Sequence, residues 1–374
     1  MNGNRFDKLK AMLTQVNALD PTAPGREALE ARASGRTAGV TFDAVRTNIE
    51  ALEARVALES LDAVRTGRGL DADKQFALEA IVMPYYRPVV DVLDDYIVTT
   101  QLTDTWKELG ADARRQWTTD RLLAVGRINV PGIQYAGTGF IVGPGLLMTN
   151  RHVAGFFAEG LGTRVQFQAG AKAAVNFYHE NRGTKSEALE VKKVRMIHPW
   201  WDMALLEVQG LPPTRKPLAL STADPATLAG RKVVVIGYPG YDPDGDAEFQ
   251  RVQSRVFRDL YYVKRFQPGH FRARAAVESY GRSVNAVTHD CSTLGGNSGS
   301  AVIDVETGDV VGLHFGGTYL VANYAASPFD LAQDSRVVDA GVNFVAPVSP
   351  RADLYDPVWA QAAAGAPEAA AAGA

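Results

Sequence analysis

Leu294-Gly295-Gly296-Asn297-Ser298-Gly299-Ser300 sets a serine between glycines just ahead of the apolar run Ala301-Val302-Ile303. Glycine has no Cβ, so Gly296 and Gly299 let the backbone turn tightly and leave the Ser298 hydroxyl exposed at the turn. The same turn can aim the amides of Gly296 and Ser298 at one point, where they would hold a developing oxyanion. Glycine- and serine-rich turns are also common connectors. The stretch therefore implies chemistry only if other parts of the chain answer it.

Two of them do. Gly137-Thr138-Gly139-Phe140-Ile141-Val142 and Leu146-Leu147-Met148-Thr149 are apolar runs separated by Gly143-Pro144-Gly145, which predicts a β-hairpin. His152 stands just beyond its second strand, in Thr149-Asn150-Arg151-His152-Val153. Further on, His198-Pro199-Trp200-Trp201-Asp202-Met203-Ala204-Leu205-Leu206 puts Asp202 at the mouth of an apolar strand. The order along the chain is His, Asp, Ser. A nucleophile, a base and a carboxylate that orients the base are what acyl transfer needs.

With these three motifs in order, the sequence resembles the trypsin/chymotrypsin-like serine peptidases, and its short motifs look most like the bacterial glutamyl-endopeptidase and HtrA-like branches. The resemblance covers roughly residues 120 to 350. It implies a mainly β fold, a double Greek-key β-barrel, here with an N-terminal α-helical extension. It also implies a protein or peptide substrate, an acyl-enzyme path and a triad of His152, Asp202 and Ser298, with Gly296 and Ser298 lending the oxyanion amides. Leu313-His314-Phe315-Gly316-Gly317 is similar to the glutamyl-endopeptidase segment that lines the primary pocket. On that likeness Thr293, His314, Phe315 and Gly316 are expected to bind substrate and to favour Glu, less well Asp, before the scissile bond. Ser292 occupies the position where trypsin-like members place an aspartate, and Asn297 the position where digestive members place the aspartate that pairs with a new N-terminal amine. Two other readings stay open: a peptide-binding or partner-recruiting module with little hydrolysis, and an esterase using the same triad.

Composition agrees with this class. The 374 residues suggest two or three units, and a net charge of −3 gives no electrostatic footprint for nucleic acid. No segment is long and apolar enough to span a membrane, and the N-terminus lacks the apolar stretch of a secretory signal. The single cysteine, Cys291, has no partner for an internal disulfide, so a reducing cytoplasm is the expected compartment. The loop from Tyr241 to Glu248 does not have calcium-loop spacing, and His179, His198, His270 and His289 form no pattern of paired ligands. No metal and no cofactor are expected.

Residues 1–115 read as helical. Phe6 to Val16 is amphipathic, Ala23-Pro24-Gly25 and Ser34-Gly35 are breaks, and a helix capped by Thr41 carries Phe42, Val45, Ile49, Leu52 and Val56 at helical steps. A further helix from Ala72 to Val82 is closed by Pro84. This region is either a module for a regulatory partner or a packing extension. Residues 116–350 form the peptidase-like unit, after a polar connector, Asp104 to Asp120, that docks on the barrel. The first barrel (about 120–210) takes strands at Leu122–Val130, Gly139–Val142, Leu146–Thr149, Arg164–Phe167, Val191–Ile197 and Met203–Val208. The second (about 230–350) opens at Lys232 and takes Arg251–Phe257, Ala275–Tyr280, Ala286–Thr288, Ala301–Val305, Val310–Phe315 and Gly341–Val345. Residues 351–374 are an alanine-rich tail, expected to be frayed and dispensable from Ala360.

Overall fold

The apolar runs on either side of Gly143-Pro144-Gly145 form the expected hairpin. Gly145 turns it with φ +69°, a left-handed conformation that glycine adopts without strain. In the computed structural model of the chain, the described residues are 5–34, 42–134, 136–178, 180, 183, 185–351 and 353–365, with backbone alone at 42–48. The hairpin belongs to a closed antiparallel barrel of six strands: β1 (Val125–Asn129), β2 (Gly137–Gly143), β3 (Leu146–Thr149), β4 (Ala174–Asn176), β5 (Leu189–Ile197) and β6 (Ala204–Val208). They pair in the order β6-β3-β2-β1-β4-β5. Side chains of alternating residues fill it, among them Ile128, Ile141, Leu147, Val175, Val194 and Leu206.

Two strands of this barrel differ from expectation. The first begins only at Val125, because Leu122–Ala124 end a helix, Arg115–Ala124. Arg164–Phe167 is a strand, but it pairs with Ala158–Leu161 in a separate two-stranded sheet. The sixth barrel strand is β4, whose three residues are too few to show an alternating pattern.

The second barrel is built from β7 (Lys232–Gly237), β8 (Arg265–Ser279), β9 (Arg282–His289), β10 (Ala301–Asp304), β11 (Val310–Thr318) and β12 (Ala322–Ala326). The order is β7-β10-β11-β12-β9-β8, and β7 also pairs with β8, so the ring of pairings returns on itself. Arg251–Phe257, expected as a strand, is part of a helix, Ala247–Phe257. Asp246 caps it by accepting from the Phe249 amide at 2.7 Å, and Val252, Gln253 and Phe257 face inward at helical spacing. Gly341–Val345 is not a strand; Phe344 contributes only an isolated bridge to Leu220.

Ahead of the barrels lie α1 (Arg5–Gln15), α2 (Pro24–Ala33), α3 (Phe42–Arg65) and a helix running through Ala72–Ala77, a π-turn at Leu78–Val82, and Met83–Tyr86. Three expectations are corrected here. Pro24 starts a helix instead of breaking one, because its missing N–H is not needed in the first turn. Pro84 does not close its helix, which continues to Tyr86; the π-turn just before it opens the ladder where proline cannot donate. The apolar stripe read on α3 is packed only in part: Val56 lies against the helical core, Ile49 and Leu52 do not, and the side chains of Phe42 and Val45 lie outside the described residues. Ile49 and Leu52 are 53% and 60% exposed, while Ala51, Ala54, Ala57, Leu61 and Val64 are buried. Alanines let neighbouring helices approach closely, so the small residues share the contact face with Leu61 and Val64, while Ile49 and Leu52 point outward. The expected cap Thr41 lies outside the described residues.

The stretch read as helical also contains strands Val90–Leu93 and Tyr96–Ile97. Val90 pairs with Phe266 of β8, adding an edge to the second barrel. Trp106, in the polar connector, is fully buried in the main core and donates from Nε1 to the Tyr86 carbonyl at 2.8 Å. The N-terminal region and the barrels therefore share a core. Trp106→Ala is expected to destabilise the whole chain by about 3–5 kcal/mol, seen as a lower midpoint in urea denaturation.

Candidate active site

His152 lies in a short helical turn, Arg151–Ala154, just after β3, and Asp202 just before β6. The register Ala204↔Thr149 puts these two strand ends side by side. Asp202 holds the histidine twice: its Oδ2 is 2.7 Å from His152 Nδ1, and its Oδ1 accepts from the His152 amide at 3.0 Å. Asn150 Nδ2 donates to the Asp202 carbonyl at 2.8 Å and so fixes the loop that carries the carboxylate. With Nδ1 facing a carboxylate, the neutral ring carries its proton there and leaves Nε2 free as a base. Burial lowers the proton affinity of His152, but the charge and hydrogen bond of buried Asp202 outweigh it and raise the pKa above the ordinary value of 6.5. Tyr280, at the β8–β9 turn, also lies against Asp202; burial and that negative charge push its hydroxyl pKa up.

The Ser298 turn has the backbone expected of it. Gly296 and Gly299 take φ +83° and +89°. A Cβ on Gly299 would sit 1.9 Å from the Thr138 carbonyl, so no other residue fits there. Thr138 of β2 then fastens the turn to the first barrel. Its amide donates to the Ser298 carbonyl at 2.8 Å and its hydroxyl to the Gly296 carbonyl at 2.8 Å. On the other side, Gly240 donates to the Gly295 carbonyl at 2.7 Å. In a trans peptide N–H and C=O point in opposite directions, so this bond turns the Gly296 N–H away from Gly240. Among the described residues, neither the Gly296 nor the Ser298 amide donates to a protein acceptor. Asn297 is buried and uncharged, and its Oδ1 accepts from Ser300 Oγ at 3.4 Å.

A Cβ on Gly137 would meet the Val153 side chain at 2.7 Å and the Ser298 carbonyl at 2.9 Å. The residue after His152 and the serine turn thus meet across one glycine. Ser298 Oγ and His152 are not hydrogen-bonded to each other, a contact that in unliganded sites often tightens only with substrate.

Ser298 opens on a cavity of about 360 Å³, lined also by Thr293, His314 and Gly316. The Thr293 hydroxyl donates to Asn323 Oδ1 at 2.6 Å. His314 is buried, with Nδ1 3.1 Å from His289 Nε2. Burial, then the neighbouring His289, puts the His314 pKa well below the ordinary value, and burial and the charge of Arg87 lower His289 to about 3. A Cβ on Gly316 would meet nothing within 4 Å. Phe315 is placed otherwise: its ring stacks on Tyr324 at 6.4 Å and does not line the cavity. His152 lines a second cavity, of about 520 Å³, with Tyr280 and Ile197.

His198 supports the Asp202 loop. Its Nδ1 accepts from the Trp200 and Trp201 amides, each at 3.0 Å, and its Nε2 is 3.2 Å from Asp334 Oδ2. Asp334 also receives Trp359 Nε1 at 2.5 Å, and Trp201 Nε1 donates to Tyr355 at 2.9 Å. The helix Asp356–Ala363 therefore clamps the loop, and Ala360–Ala363, expected to be frayed, are ordered within it. Residues 366–374 and His179 lie outside the described residues. Sequence reasoning missed Tyr280, the Trp359 clamp and the tie from Thr138, since each acts on a residue far away in the chain. Among the described residues no three His, Cys, Asp or Glu side chains cluster as metal ligands.

Residues 137–313 match the trypsin-like peptidase domain. The chain is also 28% identical over 335 residues to the "Probable serine protease" of Lysobacter enzymogenes, covering 79% of this chain and 86% of that one. Among solved structures, the active form of the Rv3671c protease from M. tuberculosis is 23% identical over 62% of this chain and 86% of its own, with a TM-score of 0.40. The MamO protease domain from Magnetospirillum magneticum is 15% identical over 57% of this chain and 95% of its own, with a TM-score of 0.39. The domain and the Lysobacter relative support serine peptidase activity, a hydrolase.

A chain ending at Asp353 loses the clamp, and so does Trp359→Ala. Both are expected to melt lower than the full chain, whereas a chain ending at Gly365 keeps its melting temperature. Calorimetry of the three proteins checks this.

Proposed function

We propose that the chain is a serine endopeptidase. The observation that carries the reading is the two-point hold of Asp202 on His152, beside a serine turn whose glycines take left-handed backbone angles. His152 Nε2 would take the Ser298 proton as Oγ attacks the scissile carbonyl. The Gly296 and Ser298 amides, uncommitted among the described residues, would hold the oxyanion. The imidazolium would return its proton to the leaving amine, and water would then hydrolyse the acyl-enzyme by the same route. Asn297 has no charge to pair with an N-terminal amine, and the Gly295–Gly296 peptide is already held by Gly240. On this reading the oxyanion loop needs no zymogen-type cleavage.

Specificity is proposed for Glu, and less well Asp, before the scissile bond. His314 shares one proton with His289 across their contact, which leaves Nε2 as the edge that can face a ligand. An imidazole N–H there, with no carboxylate at Ser292, suits an acidic side chain.

Labelling with a fluorophosphonate probe tests the nucleophile. Ser298→Ala should abolish labelling, and Asp202→Asn should slow it by about four orders of magnitude. Unchanged labelling of Ser298→Ala would overturn the assignment, and a folded native chain that never labels would favour a binding module. Turnover of peptides against simple esters separates a peptidase from an esterase.

The labelling rate of the unaltered chain is expected to rise with pH through a pKa above the ordinary histidine value of 6.5. The sign follows from the base: protonated His152 cannot accept the serine proton, and Asp202 favours the protonated form, so the inactive state persists to higher pH. A stopped-time labelling series across pH checks it.

A further inference from the structure

Burial holds His314, which lines the cavity, and His289 behind it in the neutral form near pH 7, so the imidazole on the wall offers a hydrogen bond but no charge. The cavity nevertheless has a cation. Arg87, at the end of the helical region, is the only lysine or arginine among its described lining residues. The residue is 8% exposed. One guanidinium nitrogen, Nη1, donates to the Asp290 carbonyl at 2.8 Å, and buried Nε has no partner. No carboxylate lies within ion-pair distance of Arg87 among the described residues.

The acidic neighbours are otherwise engaged. Asp290 takes the His270 amide on Oδ1 at 2.6 Å and Arg272 on Oδ2. Glu79 is held by Arg5 at 2.8 Å on each oxygen and by the Tyr319 hydroxyl. Asp242, half-buried at the cavity edge, accepts from the Asp244 amide at 3.0 Å. A buried cation without a counter-ion is costly, and a site that presents one favours an anionic ligand.

The position of Arg87 links it to specificity. Ser292 Oγ donates to the Arg87 carbonyl at 2.9 Å, and Ser292 is the residue six before Ser298. We propose that Arg87 is the charge that selects an acidic side chain in the cavity beside Ser298, supplied by the N-terminal region to a pocket that takes Thr293, Ser298 and His314 from the second barrel. This rests on reading the cavity as the primary pocket of a peptidase. It assigns the helical region a direct part in substrate choice: Met83, Pro84 and Arg87 line the same cavity as Thr293 and His314.

The test uses full-length Ser298→Ala protein, in which binding does not depend on the nucleophile. Two acetylated, amidated octapeptides, identical except for a central Glu or Gln, are titrated by calorimetry. The Glu peptide is expected to bind about tenfold or more tightly, the size of one charge-assisted contact to a carboxylate. Arg87→Gln keeps a donor for the Asp290 carbonyl but removes the charge, and should bring the two affinities together. Arg87→Lys should restore part of the difference. Equal binding of both peptides by Ser298→Ala overturns the proposal without any further variant. So does a Glu preference that survives in folded Arg87→Gln. Fluorophosphonate labelling of the unaltered chain reads the nucleophile separately, so a failed pocket and a failed peptidase assignment give different results.

Discussion

Everything at the candidate site depends on how one threonine joins the two barrels. The serine turn belongs to the second barrel and the histidine to the first, and neither sheet alone fixes their relative position. Thr138 does so with two of its atoms, its amide and hydroxyl, which hold the Ser298 and Gly296 carbonyls, while its own carbonyl is held within the first barrel by Thr149 Oγ1 at 2.7 Å. Its hydroxyl also accepts from the Tyr238 amide at 3.2 Å, which ties in the end of β7. Thr138, Thr149 and Tyr238 are buried, so losing a bond among them leaves an unsatisfied partner and costs about 1–3 kcal/mol. Gly299 is the complementary half of the arrangement, since only a residue without a Cβ can lie this close to the Thr138 carbonyl.

The local parts of the fold and site were legible because their causes are local. The hairpin around Gly145 and the left-handed glycines flanking Ser298 follow from short-range rules of pattern and backbone sterics. Where the reading failed, the cause was short length or a rival periodicity. Ala174–Asn176 is too brief to announce itself, and Arg251–Phe257 alternates well enough to pass for a strand until Asp246 is recognised as a cap. On α3 the large side chains drew the eye, whereas close packing selected Ala51, Ala54 and Ala57. Arg87, Tyr280 and Trp359 could not be given roles from spacing. Their partners lie from tens to hundreds of residues away, and only the closed barrels bring them together.

The N-terminal region and the second barrel are joined by charge as well as by packing. Arg265 is fully buried, and its guanidinium reaches Asp91 at 2.9 Å. Arg258 reaches the same carboxylate at 2.5 Å. At the other end, Leu320 of the β11–β12 turn sits in the helical core, and the adjacent Tyr319 hydroxyl donates to Glu79. The β11–β12 hairpin, which borders the cavity, is thus held by the helices it touches. A disturbance of the helical core would be felt at that hairpin before it reached the His152–Asp202 pair.

The clamp on the Asp202 loop comes from a part of the chain made long after the loop itself. Polypeptides leave the ribosome from the N-terminus onward. The first barrel can close while Tyr355 and Trp359 are still unsynthesised or inside the exit tunnel, but His198 then has no Asp334 and Trp201 has no Tyr355. The loop bearing the carboxylate gains its full set of bonds only when the helix Asp356–Ala363 docks. A nascent chain would carry all three candidate residues before the support that holds Asp202 in place is complete.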